Sequence, residues 1–259
     1  MVMNAQDIVF YAPFFLLIFI IPMLYINQRM RIKLNKRIIY SLFRMTIQLV
    51  MVGFFLQYIF LFDNLWINTA YVLFMIGVAA MTTIKTCKLD FKKQFLPILI
   101  GFGLPNFIMI LFINQFVIGL SNIFEAQYYI PLIGMLLGNS LSGNIIGLNT
   151  FYQGIDKNQR QYQYRLALSA NQWEATLPWY KDAVVGSLNP IIASTETVGL
   201  VSLPGMMTGQ ILGGSMPMTA IVYQIVIMAA ILIVRYFSIH FSILLSRKGS
   251  FDGYDQLKI

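Results

Sequence analysis

The sequence predicts an all-α polytopic membrane protein, and three observations carry that prediction. Hydrophobic residues fill 58% of the 259 positions and charged residues only 11%, whereas a soluble domain carries about a quarter charged residues. The mean hydropathy of the chain is +0.70. The apolar residues also gather in runs of about 20, the length a helix needs to cross a bilayer. Seven such runs lie at roughly 8–26, 39–60, 66–84, 95–117, 130–152, 189–212 and 218–243, giving about seven transmembrane helices in a single membrane domain spanning 1–259.

The first run lacks a basic leader and is long enough to span, so it reads as a helix and not as a cleaved signal. The distribution of charge then fixes the sidedness. Sixteen of the 18 lysines and arginines fall in the loop between runs one and two, the loop between three and four, the stretch at about 153–182, and the tail. The opposite side has only Asp7, Asp63 and Glu125. Positive residues stay in the cytosol, which predicts an outside N-terminus, a cytosolic C-terminus and a multi-pass protein of the cell membrane. The net charge of +8 is therefore a topology signal, and nucleic acid is not an expected partner. With one cysteine, Cys87, and one histidine, His240, the chain has no intramolecular disulfide and no multi-histidine metal centre.

Run two carries Gln48. Run four contains GFGLPN (Gly101 to Asn106), in which Pro105 removes a backbone hydrogen bond. Run five reads GMLLGNSLSGNIIGLN (Gly134 to Asn149). Its Gly134, Gly138 and Ser142 share one helix face, with Gly143 and Gly147 on an adjacent one, the spacing that lets two helices approach closely. Asn139, Asn144 and Asn149 add hydrogen-bonding groups. They act either as glue between helices or as a polar stripe along a path. Run seven carries Arg235 and His240 near its cytosolic end, where snorkelling to headgroups is expected.

Run six holds Ser194 to Thr197 and then TVGLVSLPGMMTGQILGG (Thr197 to Gly214), with five glycines and a proline at bilayer depth. Glu196 lies about one-third of the way in from Asn189. It is read as pairing with Arg44 or Arg235, as sitting at a cavity mouth, or as handling a cation. Ser202, Pro204, Gly205, Met206, Met207 and Gln210 form with Glu196, Gln48 and Asn139 the candidate path or gate. Glu196, Met206 and Met207 are the weak candidates for a metal, although 15 methionines spread through the chain favour core filling.

The stretch at 153–182 predicts a helix from about Asp156 with Tyr162, Leu166, Ser169 and Ala170 on one stripe, a turn at Ser169 to Gln172, and a second helix from Trp173 that bends or restarts at Pro178. Its aromatic and arginine residues suit a docking interface or an amphipathic helix on the inner leaflet. The segment LALSANQWEATLP (Leu166 to Pro178) resembles the cytosolic coupling loop of ABC-transporter membrane subunits, with Ser169 where glycine is usual and Gln163 where glutamate is usual. TVGLVSLPGMM and TGQILGG, with FRMTIQLVMVG (Phe43 to Gly53), Gly138–Asn139 and PMTAIVYQIVIM (Pro217 to Met228), resemble a family of seven-span permeases. That family includes the bacterial Fet-type iron exporter subunit and plant aluminium-tolerance permeases.

The resemblance implies a permease that works as a homodimer in the lipid bilayer with a separate ABC ATPase subunit. That subunit would bind ATP and magnesium, dock on Arg165, Leu166, Ala167, Ser169, Ala170, Trp173, Glu174, Pro178 and Trp179, and drive export of a metal, iron foremost. This chain carries no G-x-x-x-x-G-K-[ST] phosphate loop and no catalytic set, so it holds no cofactor and is not itself an enzyme. The alternatives are an ATP-independent transporter or channel and an ABC permease for a non-metal substrate such as a nucleotide sugar.

Overall fold

The computed structural model describes residues 15, 18–168, 171–253 and 255–257. Its elements are all helical: α1 (Ile20–Arg29), α2 (Asn35–Phe62), α3 (Leu65–Cys87), α4 (Phe91–Phe112) with a π-turn at Ile113–Ile118, α5 (Ala126–Lys157), α6 (Gln159–Ala167), α7 (Gln172–Thr197), α8 (Gly205–Leu212) and α9 (Pro217–Ser250). Five of them (α2, α3, α4 with its π-turn, α5 and α9) are long and apolar enough to cross a membrane. Among the described residues no strand forms, and β structure is confined to two isolated bridges. This is an all-α polytopic membrane protein. About half of the first expected span, residues 8–14, 16 and 17, lies outside the described residues, and the end nearer the basic loop forms the start of α1.

Side-chain contacts give the helix directions. Gly143 and Gly147 of α5 meet Arg235 and Ile239 of α9, so these two helices run parallel. Gly101 of α4 meets Ser242 and Gln94 reaches Ser250, so α4 runs against α9. Gly134 meets Met75 and the Cys87 thiol faces Ile145 O, making α3 parallel to α5. Every basic loop therefore falls at one end of the bundle, as the charge distribution requires.

The closest helix pair is α4 with α9. A Cβ on Gly101 would stand 2.7 Å from Ser242 N and 2.8 Å from its Cα, so the glycine of GFGLPN is where the two backbones touch. Ser238, Ser242, Ser246 and Ser250 recur every fourth residue of α9 and are all buried. Ser238 accepts from Asn144 Nδ2 at 2.6 Å. Ser246 lies 2.6 Å from the Tyr152 hydroxyl, and Ser250 accepts from Gln94 Nε2 at 2.7 Å. Small hydroxyl side chains allow this approach and supply bonds where water is absent. At the far end, Asp63 accepts from Asn68 Nδ2 at 3.0 Å and from Ala126 N at 2.8 Å, tying the α2–α3 turn to the start of α5.

Two expectations about single residues change. Arg235 does not snorkel: it is 4% exposed, held over Gly143 of α5. Its depth is set by the register of α9 on α5, which puts it level with the middle of the 32-residue α5. His240 is half-buried, with its ring against Tyr180 and Tyr236 and Nδ1 2.9 Å from the Tyr236 carbonyl.

Candidate transport path and docking surface

The stretch at 153–182 folds as a helical hairpin at the basic end of the bundle. Asn171 caps α7: its side chain accepts from Glu174 N at 2.8 Å, while Glu174 accepts from Asn171 N at 3.1 Å. This reciprocal pair satisfies two of the free N–H groups at the helix start. From there α7 continues unbroken to Thr197 through Pro178 and Pro190, so the expected restart at Pro178 does not occur. Pro178 lies in the second turn, where it removes only the bond to Glu174 O. The separate sixth span at 189–212 is likewise replaced. The second half of the expected docking stretch and the start of the expected sixth span are one 26-residue helix, about 39 Å long at 1.5 Å per residue.

The hairpin divides the expected docking residues. Trp179 is 7% exposed, wedged against Gly154 and facing the Tyr162 ring at 6.1 Å. It belongs to the core, contrary to the exposed role expected of it. Trp173 is half-buried, meets the Tyr180 ring edge-on at 4.9 Å and is covered by the Arg247 guanidinium at 4.7 Å. Arg165, Leu166 and Pro178 are half-buried, while Ala167 and Glu174 are exposed; Ser169 and Ala170 lie outside the described residues. Sequence reasoning missed Tyr164 and Leu168, which are 66% and 63% exposed at the hairpin tip. They lie on the side of α6 opposite Tyr162, the face the helical period left to solvent.

Beyond Thr197 the chain leaves the helix at bilayer depth. Gly199 takes φ +86°, a left-handed value open to glycine at little cost. Its N–H donates to Ser202 O at 2.9 Å, and Val201 N donates to Thr197 O at 3.0 Å. Irregular backbone in a membrane is tolerated when its polar groups find partners of this kind. Pro204 then opens the eight-residue α8, where Met207 is buried and Met206 packs on the main core cluster. Both methionines thus fill core space. Gln210 is half-buried, and its backbone carbonyl takes the Ser215 N–H at 2.9 Å. Ser202 and Gly205 are exposed, as is the loop tip at Leu200, 89% accessible.

Glu196 is exposed on α7. The antiparallel contacts of α7 with α5 (Trp179 on Gly154, Ala183 O by Gly147) put it level with residues 134–138, in the outer half of the bundle. The expected depth, one-third of the way in, is displaced because α7 starts at Gln172 and is already level with the middle of α5 by Asn189. Arg235, level with Gly143, is about two turns nearer the basic end, and Arg44 is exposed on α2 near that end, so neither pairs with Glu196 here. Asn189 shares the Glu196 face at i, i+7. Beside it runs an exposed stripe of α5: a Cβ on Gly186 would stand 3.7 Å from Thr150 Oγ1 and 3.9 Å from Ile146, and further along the same edge carries Ser142 and Gly138. Asn139 is half-buried with Nδ2 on Met135 O at 2.9 Å, while Asn144 is buried glue. Gln48 is exposed on α2. Among the described residues no three His, Cys, Asp or Glu side chains gather as a metal-binding group.

Five helices long and apolar enough to cross a membrane define a multi-pass membrane protein, and an uncovered carboxylate, amide and hydroxyl stripe gives the bundle one polar face. The chain belongs to the uncharacterised protein family UPF0014, whose model matches residues 11–251. It is 37% identical over 207 residues to the protein ALUMINUM SENSITIVE 3 of Arabidopsis thaliana, covering 78% of this chain and 73% of that one. It is 33% identical over 228 residues to the "Probable iron export permease protein FetB" of Escherichia coli K12, covering 87% and 85%. A third relative, the UPF0014 membrane protein STAR2 of rice, is 32% identical over 199 residues, 76% of this chain and 68% of that one. No solved structure matches.

Proposed function

We propose that the chain is the membrane-spanning permease of an ABC transporter, working as a homodimer with a separately encoded ATPase and exporting a metal ion, iron foremost. The observation that carries this reading is the continuity of α7. One rigid rod joins the capped hairpin at the basic end, where a partner can grip, to Glu196 in the outer half of the membrane. A tilt imposed on the hairpin is carried along α7 to the carboxylate, because the helix stays continuous through Pro190, which removes the bond to Gly186 O. The break at 198–204 lets that motion occur while α8 and α9 stay packed.

The polar face supports the dimer. A carboxylate at hydrocarbon depth costs several kcal/mol against lipid, so the face bearing Asn189, Glu196 and Ser142 is turned toward a second copy or a hydrated path between copies. Two copies bring two Glu196 carboxylates, a weak oxygen site suited to a cation in transit. The similarity to the relative named as an iron export permease supports iron as cargo. ATP and magnesium bind the partner, and the cytosol lies at the basic end.

Co-purification tests the assembly. The chain is expected to retain a Walker-A ATPase encoded beside it, in a 2:2 molar ratio. A permease that purifies alone and leaves that ATPase's activity unchanged contradicts the proposal.

A further inference from the structure

The tail beyond α9 folds back on the hairpin. Phe251 and Leu257 pair across a tight turn as an antiparallel bridge. Asp252 N donates to Gln256 O at 3.0 Å, and Gln256 N donates to Asp252 Oδ1 at 2.8 Å. The turn then meets both helices of the hairpin. Tyr162 of α6 donates its hydroxyl to Asp255 O at 2.8 Å. Gln172, in the first turn of α7, donates Nε2 to Asp255 Oδ1 at 2.6 Å. The Phe251 ring lies 5.8 Å from that of Tyr162, and Phe251 and Leu257 pack on the inner core cluster with Trp179. The turn and α6 also wall a cleft of about 230 Å³ lined by Gln163, Leu166, Asp255 and Leu257.

We propose that the C-terminal segment, through residues 251–253 and 255–257, is part of the ATPase docking surface: it clamps α6 to α7 and completes the platform on which the partner sits. Its partner rests on the ABC reading above; its geometry does not. Residue 255 is the keystone, since one residue accepts from both helices through its carbonyl and its carboxylate. α6 has nine residues and a single buried one, Tyr162, and a helix that short is marginal in water without tertiary support. The clamp supplies that support, and it runs through α9 to the same serine ladder that holds α4. The hairpin is therefore tied to the bundle through α5, through Arg247 and His240 of α9, and through the tail.

The test uses the full permease in lipid nanodiscs, the chain ending at Ser250, and the point variants Tyr162→Phe and Gln172→Met. Two readouts are taken: amide exchange across 159–168 in the permease alone, and binding of the ATPase. Truncation is expected to speed exchange in α6 at least tenfold while α4 and α9 are unchanged, and to weaken ATPase binding at least tenfold. Each point variant, losing one hydrogen bond, gives a several-fold part of that effect and keeps the test open if the truncated chain misfolds. Unchanged exchange in truncated or point-substituted chains overturns the clamp. Faster exchange with full-strength binding overturns its place in the docking surface. An intact permease that binds no ATPase refutes the transporter reading and the partner together, while exchange still judges the clamp.

Discussion

Replacing Trp179 by alanine separates the structural account from the docking role that its aromatic character suggests. Trp179 is 7% exposed, fills the space over Gly154 and meets the Tyr162 ring edge-on at 6.1 Å. Truncating a buried tryptophan costs about 3–5 kcal/mol from lost burial and the cavity left behind, and the aromatic pair adds on the order of 1 kcal/mol. Trp179→Ala should thus remove a large part of a stability of about 5–15 kcal/mol. Thermal unfolding in detergent, followed by near-ultraviolet circular dichroism, should reveal a large drop in midpoint with or without the ATPase. Tyr164→Ala and Leu168→Ala, on the exposed tip, should change stability by less than about 0.5 kcal/mol and weaken ATPase binding instead. A Trp179→Ala protein that melts normally but fails to bind would refute the core assignment.

Gly101→Ala puts a Cβ within 2.7 Å of the Ser242 backbone, so α4 and α9 must part; a loss of about 1–3 kcal/mol is expected by chemical denaturation, and an unaffected variant would contradict the register. Glu196→Gln should leave dimer assembly and ATPase docking intact by size-exclusion analysis while metal efflux falls at least tenfold; normal efflux would mean that the carboxylate only packs. Arg235→Met keeps volume and removes a buried charge, so its unfolding midpoint should stay or rise; a clear fall would show that the guanidinium has partners in the assembled transporter. Burial, with Asp255 and Asp252 adding, pushes the Tyr162 hydroxyl from 10 to about 12. The protonated form is thus favoured by folding, and that stabilisation is complete below pH 10 and lost as pH rises toward 12. Exchange in α6 should speed up over that window and should do so less in Tyr162→Phe.

Much of this architecture was legible because membrane physics writes it plainly. Span length, basic loops and the GFGLPN glycine are local signals, and the break after Thr197 announces itself through Gly199 and Pro204. α7 was harder. Pro178 and the composition change near Asn189 suggest two elements, yet Thr176, Trp179, Ala183, Ser187 and Ile191 recur every three to four residues and are all buried. Read as one helix, that stripe assigns Trp179 to the core. The depth of Glu196 and the burial of Arg235 depend on how α7 and α9 register against α5, a tertiary fact with no local signature. The tail was equally opaque, because its role rests on Tyr162 and Gln172 meeting Asp255 across more than 80 residues.

The central claim is that the hairpin transmits ATPase motion through α7 to a path lined by Glu196. Vesicles holding the permease with its ATPase, loaded with ferrous iron and an internal quencher-sensitive dye, measure it most directly. Iron movement should require ATP and both proteins, and should stop when two glycines inserted after Ala183 break the rod while binding persists. Iron flux through the permease alone, or undiminished ATP-driven flux through the broken rod, would contradict it.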